Sequence, residues 1–431
     1  MNYSETIQYL YSRLPMFSKI GAAAIKADLT NTLQLCSRLD DPHKKFKTIH
    51  VGGTNGKGST SHMLAAILQV AGYKTGLYTS PHLRDFRERI RVNGEMISEE
   101  NVIAFVNEQK ENIEQISPSF FEVTVAMAFD HFAKQNVDIA VIEVGLGGRL
   151  DSTNIITPVL SVITNIGYDH MNILGNSLKE IAFEKAGIIK SQVPVVIGER
   201  QKEIDDVFIK KADECDSPII FASEQWQIII NQTHGTNDKY LDIAATHNLQ
   251  PITYNLHLDL TGTYQLKNVK TVLSAVIQLQ KQGFKITTNH LQSALKQVSM
   301  LTGLMGRWQT LSSDPMVICD TGHNEDGIRE VLKNIDATHY EKLHMVIGMV
   351  RDKDVNKVLT LLPDHAVYYF CHPAIERAKP AEELMNEAKL HGLHGKSYPS
   401  VKEALKAAKR HASSKDLVFV GGSTFVVAEV V

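Results

Sequence analysis

Several features are scarce or missing in this sequence, and each absence argues against a class of protein. The four cysteines lie far apart without a CxxC spacing, which disfavours a disulfide scaffold or a zinc ribbon and favours a reducing compartment. No uninterrupted apolar run of about 18 residues occurs, so we expect no membrane span. The first residues lack the basic and then apolar stretches of a secretory signal. These absences predict a cytoplasmic protein that does not associate with a membrane.

Charge of one sign is not in excess either. The chain has 45 Lys and Arg against 48 Asp and Glu, a net charge of −3, so we expect no nucleic-acid partner. With 43% hydrophobic and 22% charged residues, the composition is that of a globular protein. At roughly 150 residues per domain, the 431 residues predict two to three domains.

Short β-rich runs alternate with helical stretches over the first half of the chain. The predicted strands are residues 46–51, 75–79, 138–144, 159–166 and 193–197. Asn93 and Gly94, between alternating residues, predict a β-hairpin. The run 138–144 is almost continuously apolar, as expected of a strand covered on both faces. Strands that alternate with helices predict parallel βαβ units and a doubly wound sheet.

The second half predicts an insertion, a long helix and a second domain. Residues 203–255 are less regular, and we expect a strand-rich insertion there, followed by one long helix over 264–282. The glycine-punctuated segment 299–308 is the linker candidate. Further strands are predicted after it, at residues 316–319, 343–347, 367–370 and 417–420. The fold class is therefore α/β: a doubly wound parallel sheet with a P-loop in a domain 1–298, and a smaller Rossmann-like α/β domain 299–431.

A glycine-rich loop follows the first predicted strand and precedes a helix. Its sequence is GGTNGKGST, residues 52–60. Glycines let backbone N–H groups surround phosphate oxygens, and a helix N-terminus adds positive partial charge. Lys57 can reach the β- and γ-phosphates, and Ser59 or Thr60 can face a metal. The strict GxxxxGK[ST] form is not met, since Gly58 follows Lys57. A tight turn with a chance lysine is the alternative, but the strand–loop–helix context favours a phosphate site.

Polar residues follow the predicted strands, where doubly wound sheets bind their ligands. They include residues 79–82 and 165–170. Glu143 lies inside an apolar run, where burial without a cation is costly, so it is a candidate Mg²⁺ ligand. An ion pair with Arg149 is the alternative. His170 by itself is more typical of a loop residue than of a metal ligand.

Lys185 lies in a mainly apolar, helix-like stretch, residues 181–189. Burial lowers the proton affinity of an amine, and a neutral amine can take up CO₂ to become a carbamate, an oxygen ligand. A lysine that reaches out to solvent is the alternative that the residues alone favour.

The predicted second domain carries three polar turns. Arg307 could neutralise a transferring phosphoryl group. Asp320 and His323 lie in DTGHN directly after a strand and could hold a nucleotide or an acceptor. The third turn, GGST, follows the last predicted strand at residues 421–424. For each of these, an ordinary surface turn is the alternative.

Taken together, these stretches resemble the Mur ligase superfamily and, within it, the folylpolyglutamate synthase/dihydrofolate synthase family. Two departures are DTGHN, where DGAHN is commoner, and Met305, where proline is usual. The matching motifs occur in order along nearly the whole chain: GGTNGKGST (52–60), TSPHL (79–83), ERIRVNGEMI (88–97), FFEVTVAMAF (120–129), VIEVGLGGRLDSTN (141–154), TNIGYDH (164–170), FEKAGIIK (183–190), YQLKN (264–268), GRW (306–308) and DTGHN (320–324).

The resemblance implies a role for each matching residue. The ATP phosphates would be held by Gly56, Lys57, Gly58, Ser59 and Thr60, with further ATP contacts from Asn268, Arg307 and Asp320 at the domain interface. Two Mg²⁺ ions are implied, the first on Ser80 and Glu143, the second on His170 beside a carbamylated Lys185. Pterin or pteroate contacts would be Phe121, Glu122, Thr124, Leu150, Asp151 and Ser152, and the incoming glutamate would lie near His323 and Ser423. The implied catalytic residues are Lys57, His170, Lys185, Arg307 and His323.

The implied activity is ATP-dependent amide formation through an acyl phosphate. Its substrates would be ATP, L-glutamate and either dihydropteroate or folate, and the sequence leaves open which of the two acceptors is used, or whether both are. We expect a monomer. The alternatives are another Mur-type amino-acid ligase, a P-loop kinase or NTPase, and a nucleotide-binding module without activity. A plain P-loop enzyme does not explain the DTGHN domain, and the short segment before Gly53 favours the folate branch over the peptidoglycan ligases.

Overall fold

The computed structural model describes residues 1–16, 28–231, 239–351 and 355–431. These residues form two compact units. The larger comprises residues 1–16, 28–231, 242–258 and 265–303, and the smaller comprises residues 239–241, 259–264, 304–351 and 355–431. The chain leaves the larger unit for the last time after Gly303, a few residues beyond the predicted boundary at 298. The assignment of these segments as functional domains stays a prediction.

An eight-stranded sheet forms the centre of the larger unit, in the order β4-β3-β2-β5-β1-β6-β7-β8. Six strands are parallel: β2, β5, β1, β6, β7 and β8. The hairpin of β3 and β4 adds an antiparallel edge next to β2. The predicted parallel sheet is thus confirmed. The strands are β1 Lys47–Gly52, β2 Thr75–Tyr78, β3 Ile90–Val92, β4 Glu95–Met96, β5 Ile139–Glu143, β6 Leu160–Ile163, β7 Val195–Ile197 and β8 Ile219–Phe221.

The helices of the larger unit pack against this sheet. Ala140 and Ile142 of β5 join Phe129 and Phe132 in one buried cluster, and the alternate residues of the strand face the other side. The helices are α1 Tyr3–Arg13, α2 Thr30–Arg38, α3 Lys57–Val70, α4 Glu99–Ile116, α5 Phe120–Lys134, α6 Met171–Leu174, α7 Leu178–Ala186, α8 Asp205–Glu214, α9 Ala222–Gln225, α10 Gln265–Lys281, α11 Thr288–Leu295 and α12 Val298–Thr302. Short 3₁₀ turns cover Pro42–Lys44, Phe86–Arg89 and Ser152–Ile155.

Two local predictions are confirmed and one is wrong. Asn93 (φ 49°) and Gly94 (φ 82°) both take the left-handed conformation that a two-residue hairpin of this type needs. The long helix is α10. The linker prediction fails over 299–302, which are helical because no helix breaker occurs before Gly303. The hydroxyl of Thr302 bonds Nδ1 of His62 at 2.8 Å, which anchors α12 to α3.

A separate antiparallel sheet is formed by β9 Trp226–Ile230, β10 Leu241–His247 and β11 Thr253–Leu258, in the order β11-β10-β9. Alternate residues of β11 are buried, as expected of a sheet with one covered face. The strand-rich insertion expected over 203–255 is found only from Trp226 onward, since α8, β8 and α9 continue the larger unit and β8 is the last strand of its main sheet. Residues 232–238 lie outside the described part of the chain.

The smaller unit is a second α/β body, as predicted. Its six-stranded sheet has the order β12-β13-β17-β14-β15-β16 and is parallel except for the edge strand β12. The strands are β12 Gln309–Ser313, β13 Met316–Cys319, β14 Leu343–Ile347, β15 Val367–Phe370, β16 Gly395–Ser397 and β17 Leu417–Gly421. The helices are α13 Glu325–Asp336, α14 Val355–Leu359, α15 Ala381–Leu390, α16 Val401–His411 and α17 Thr424–Ala428. In the described ranges we find no helix with the length and apolarity needed to traverse a bilayer.

Candidate active site

The loop between β1 and α3 has the backbone shape of a phosphate site. Gly53 (φ 136°) and Gly56 (φ 82°) adopt conformations that side chains disfavour. A Cβ atom on Gly53 would collide with Thr164, and one on Gly56 would collide with the side chain of Asn268. No side-chain hydrogen bond caps the start of α3, and the N-terminus of a helix carries a positive partial charge that attracts anions. The loop therefore fits the phosphates of a nucleotide.

The segment after β6 holds this loop from outside. The Asn55 amide donates to Oδ1 of Asn165 at 2.9 Å, and the Thr54 amide donates to the Asn165 carbonyl at 2.9 Å. The Thr164 hydroxyl donates to the Asn55 carbonyl at 2.6 Å. Nδ2 of Asn165 in turn donates to Glu199 at 3.0 Å. Sequence reasoning placed Asn165 among the polar residues at strand ends but predicted no contact between its side chain and the loop.

Two lysines meet at one carbonyl of the loop. The ammonium groups of Lys57 and Lys185 donate to the Gly53 carbonyl at 3.0 and 2.9 Å, and Lys57 also donates to the Thr54 carbonyl at 3.0 Å. Lys185 is only 4% exposed. Burial, and then the nearby charge of Lys57, lowers the pKa of Lys185 to about 7. Lys185 is therefore beside the phosphate loop, and a substantial fraction of it is neutral near pH 7.

Ser80 and Glu143 are brought together because β2 and β5 are neighbours in the sheet. The Ser80 amide donates to Oε2 of Glu143 at 3.2 Å, and Glu143 is 5% exposed. The alternative ion pair does not form, since Arg149 pairs instead with Glu184 at 2.9 Å. The buried carboxylate and adjacent serine are oxygen ligands of the kind that Mg²⁺ prefers.

His170 takes a left-handed conformation (φ 51°), and its amide donates to the side chain of Asp169 at 2.9 Å. Over the described ranges, no three His, Cys, Asp or Glu side chains gather into a group that could hold an ion alone. Mg²⁺ sites commonly use one or two carboxylates together with water and substrate phosphate. The residues present thus fit a metal that binds with its nucleotide better than a permanent protein cage.

The start of α10 contacts the same loop. Nε2 of Gln265 donates to the Ser59 hydroxyl at 3.2 Å, and Nδ2 of Asn268 donates to Oε1 of Gln265 at 2.7 Å. The Thr60 hydroxyl is buried and has no hydrogen-bond partner among the described residues. Asn268 therefore lies beside the loop, while its contact with ATP stays a prediction. Gln265 is a neighbour of the loop that sequence reasoning left without a role.

The predicted substrate residues of α5 differ in what they can offer. The Phe121 ring packs on the backbone of Gly145. One carboxylate oxygen of Glu122 accepts from the Ser119 amide at 2.6 Å, and the other is buried without a described partner. The Thr124 hydroxyl donates to the Phe120 carbonyl at 2.7 Å. Phe121 and Glu122 therefore retain a surface or an atom for a ligand, whereas the hydroxyl of Thr124 is already bonded.

Asp151 holds the loop that follows β5. Its carboxylate accepts from the Leu146 amide at 2.7 Å and from the Thr153 amide at 3.0 Å, and the Thr153 hydroxyl donates to it at 2.5 Å. Desolvation by burial raises its pKa despite these bonds. Its neighbours Leu150 and Ser152 are partly exposed. They are therefore the more accessible members of this predicted group.

The smaller unit holds the remaining predicted residues. Arg307 donates through Nη1 to the Gly306 carbonyl at 3.2 Å and to the Thr321 hydroxyl. Nδ1 of His323 bonds the Thr321 carbonyl at 2.9 Å. The hydroxyl of Ser423 caps α17 by accepting from the Phe425 amide at 3.2 Å. Arg307 and His323 are thus attached to one loop.

Asp320, at the start of that loop, is almost fully buried. One oxygen accepts from the Tyr264 hydroxyl at 2.5 Å and the Trp308 amide at 2.8 Å, and the other accepts from the Gly322 amide at 2.7 Å. Burial raises the pKa of this carboxyl group. Tyr264 is a further residue whose contact sequence reasoning missed.

Two family models match the chain, in the order of the two units. The Mur ligase middle domain matches residues 51–276, and the Mur ligase glutamate ligase domain matches residues 306–424. A dihydrofolate synthase/folylpolyglutamate synthase of Bacillus subtilis is 32% identical, over 99% of this chain and 98% of that protein. The chain belongs to the dihydrofolate synthase/folylpolyglutamate synthase family of Mur ligases. The family predicted from the motifs is confirmed.

Solved structures of family members have the same fold. Escherichia coli FolC in complex with DHPP and ADP is 30% identical, with a TM-score of 0.86 over 100% of this chain and 97% of that chain. The folylpolyglutamate synthase of Thermotoga maritima is 32% identical, with a TM-score of 0.82 over 99% of this chain and 95% of that one. A bifunctional folylpolyglutamate synthase/dihydrofolate synthase with Mn, AMPPNP and L-glutamate bound is 28% identical, with a TM-score of 0.84 over 100% of this chain and 97% of that one.

The family also includes longer proteins. A probable bifunctional folylpolyglutamate synthase/dihydropteroate synthase of Haloferax volcanii is 31% identical over 100% of this chain, which spans 50% of that protein. The family and the α/β fold are therefore established for this chain, while the roles of individual residues stay predictions.

Proposed function

We propose that this protein uses ATP to join the amine of L-glutamate to a carboxylate of dihydropteroate or folate. The observation that carries the proposal is the glycine loop after β1, with Lys57 and Lys185 on its Gly53 carbonyl. A loop of this shape suits nucleotide phosphates. The family members whose structures contain DHPP, ADP, AMPPNP and L-glutamate support the choice of substrates.

The chemistry follows from the low reactivity of a carboxylate. A carboxylate oxygen attacks the γ-phosphorus of ATP, ADP leaves, and an acyl phosphate forms. The glutamate amine then attacks the acyl carbon, phosphate leaves, and the amine loses a proton as the amide forms. Negative charge gathers on phosphoryl oxygens in the first step, so fixed cations accelerate it. Lys57 would supply one such cation and Arg307 another.

We propose that Ser80 and Glu143 hold one Mg²⁺ and that His170 holds a second. When bound, Mg²⁺ neutralises phosphate charge. The oxygen donors at the Ser80–Glu143 pair fit such an ion, and family members with bound Mn support a divalent metal. Asn268 and Asp320 are proposed as further nucleotide contacts.

We propose that Lys185 carries a carbamate in the active enzyme. Its burial and lowered pKa supply the neutral amine that attacks CO₂, and one proton is released as the N–C bond forms. Intact mass measured under native, CO₂-containing conditions should show a labile gain of about 44 Da, the mass of the added CO₂. Lys185→Ala should be inactive, with partial rescue by short carboxylic acids. Full activity of that variant without additives would refute this role.

The acceptor pocket is proposed to use the predicted residues in two ways. Phe121, Glu122, Leu150 and Ser152 would contact the pterin or pteroate directly. Thr124 and Asp151 would shape the wall, because their polar atoms already bond the chain. His323 and Ser423 are proposed to lie near the incoming glutamate. The cytoplasmic location and the monomeric state stay predictions, supported in the first case by four free cysteines.

One experiment tests the proposed function as a whole. Purified protein is given ATP, Mg²⁺ and L-glutamate with either dihydropteroate or tetrahydrofolate, and the products are identified by mass. We expect one added glutamate per turnover with at least one acceptor, and ADP release only when acceptor and glutamate are both present. ADP release that needs neither would favour the P-loop kinase or NTPase alternative.

A further inference from the structure

The turn that carries Arg307 has an unusual backbone. Trp308 has φ 45°, in the left-handed region that a bulky side chain rarely occupies. Its ring is buried and stacks on Phe419, with centroids 6.3 Å apart. Such a conformation persists only when the surroundings impose it. The Trp308 amide donates to Asp320 at 2.8 Å, which ties this turn to a buried carboxylate.

Asp320 fixes three segments of the smaller unit at once. The Trp308 amide and the Tyr264 hydroxyl share its Oδ2, and the Gly322 amide donates to its Oδ1. At 3% exposure this carboxylate has little access to water, so it depends on these donors for its solvation. Tyr264 is the one donor of the three that comes from a side chain, and it is contributed by a segment remote in sequence.

Arg307 sits next to this carboxylate without pairing with it. Its Nη1 donates to the carbonyls of Met305 and Gly306 and to the Thr321 hydroxyl. Among the described residues, the guanidinium of Arg307 forms no ion pair with a carboxylate. The charge of Arg307 is therefore held by neutral acceptors and stays available for an anion.

We propose that Tyr264 is a positioning residue for Arg307: by donating to Oδ2 of Asp320 it fills the second acceptor site of that oxygen and keeps it from capturing the arginine. Without the hydroxyl, Oδ2 loses one of its two donors in a dry site. The guanidinium of Arg307 is the nearby group that can replace it, because a carboxylate–guanidinium pair is a strong charge-assisted bond. Arg307 would then be neutralised and withdrawn from substrate. This inference rests on the proposed role of Arg307 at the transferring phosphoryl group.

The test compares two conservative variants of the smaller unit. Tyr264→Phe removes the hydroxyl that bonds Asp320, and the control Tyr368→Phe removes a buried hydroxyl that bonds the Pro363 carbonyl at 2.6 Å. We expect Tyr264→Phe to lower kcat on the order of 10- to 100-fold, with the KM for ATP changed less than about threefold. Tyr368→Phe should stay within about twofold of the parent while losing similar thermal stability.

A double-variant comparison shows whether Tyr264 acts through Arg307. In an Arg307→Gln background, Tyr264→Phe should have almost no further effect on kcat, because no guanidinium remains to be captured. A crystal structure of Tyr264→Phe should show Arg307 within about 4 Å of Asp320, the distance of an ion pair. The proposal is wrong if Tyr264→Phe lowers kcat equally in both backgrounds, or if it behaves like Tyr368→Phe. Failure of the proposed function is seen separately, as absence of amide product from the unaltered protein or full activity of Arg307→Gln.

Discussion

The phosphate loop of the larger unit and the Arg307 turn of the smaller unit hold their cations by different means. In the loop, left-handed glycines expose the Gly53 carbonyl to two lysines, so backbone shape does the holding. In the turn, neutral acceptors hold Arg307, and the buried carboxylate of Asp320 accepts from the amide of the left-handed Trp308 that follows it. The loop arrangement is encoded by residues adjacent in sequence, whereas the arrangement at the turn depends on residues far apart in the chain.

The largest expected effect on activity comes from changing Lys57 in the phosphate loop. Lys57→Ala should abolish amide formation while the thermal unfolding curve stays close to that of the parent. Lys57→Arg should fail as well, since a planar guanidinium does not replace a compact ammonium in a tight loop. Product mass and thermal denaturation measure the two properties. The exposed Lys210→Ala on α8 is the control, and near-normal turnover of Lys57→Ala would contradict the assignment.

A glycine pair sharpens the claim that backbone shape does the holding. Gly56 (φ 82°) and Gly72 (φ 88°) have the same left-handed backbone, but a Cβ on Gly56 would collide with Asn268 and one on Gly72 would meet nothing within 4 Å. Both alanine variants should lose about 1 kcal/mol to the backbone conformation. Only Gly56→Ala should also weaken ATP binding, by at least about tenfold, as measured by calorimetry with a nucleotide analogue. Equal ATP affinity in the two variants would show that the close approach of Asn268 does not matter.

Changing Glu143, at the carboxyl end of β5, is expected to reduce activity to an extent that depends on the Mg²⁺ concentration. Glu143→Gln keeps the side-chain volume and removes the charge, so it should raise the Mg²⁺ concentration needed for half-maximal rate or remove activity. His170→Ala should act in the same direction. Glu184→Gln, which breaks the ion pair with Arg149 instead, is the matched control. Normal Mg²⁺ dependence of Glu143→Gln would reduce Glu143 to a structural residue.

The smallest effect concerns stability and pH. The pKa of Lys185 is about 7 in the folded protein against an ordinary 10.5, so the unfolded chain binds more protons between these values. Unfolding free energy should therefore rise with pH across this window, by up to about 1.4 kcal/mol per pH unit. In CO₂-free buffer, Lys185→Met should remove that contribution, as measured by denaturant titration from pH 7 to pH 10. An unchanged slope would mean that folding does not lower the pKa of Lys185.

The sequence predicted the elements that are fixed by local chemistry. Strands β13, β14 and β15 have the predicted bounds, because continuous apolar runs between turns leave little choice. The hairpin at Asn93 and Gly94 followed from their tolerance of positive φ. The linker prediction gave too much weight to the glycines at 303 and 306. The residues before Gly303 include no helix breaker and therefore remain helical.

The candidate site was predictable where its residues lie in one motif, and less so where partners are distant. Gly53 and Lys57 are recognisable from the loop alone. The bonds from Asn165 to Asn55 and from Tyr264 to Asp320 join segments that only the folded chain brings together. A pattern of residue types cannot show that the carboxylate of Asp151 accepts from the amides of Leu146 and Thr153, because the path of the loop decides which amides it meets.

The collisions that surround the loop glycines also bear on how this protein can change over generations. Gly53 abuts Thr164, and Gly56 abuts Asn268, so each glycine shares its space with a residue encoded far away. A larger residue at 56 would need a smaller residue at 268 to make room for its Cβ atom. We expect these positions to vary in pairs among descendants of a common ancestor. The loop would then drift more slowly than the strands on either side of it.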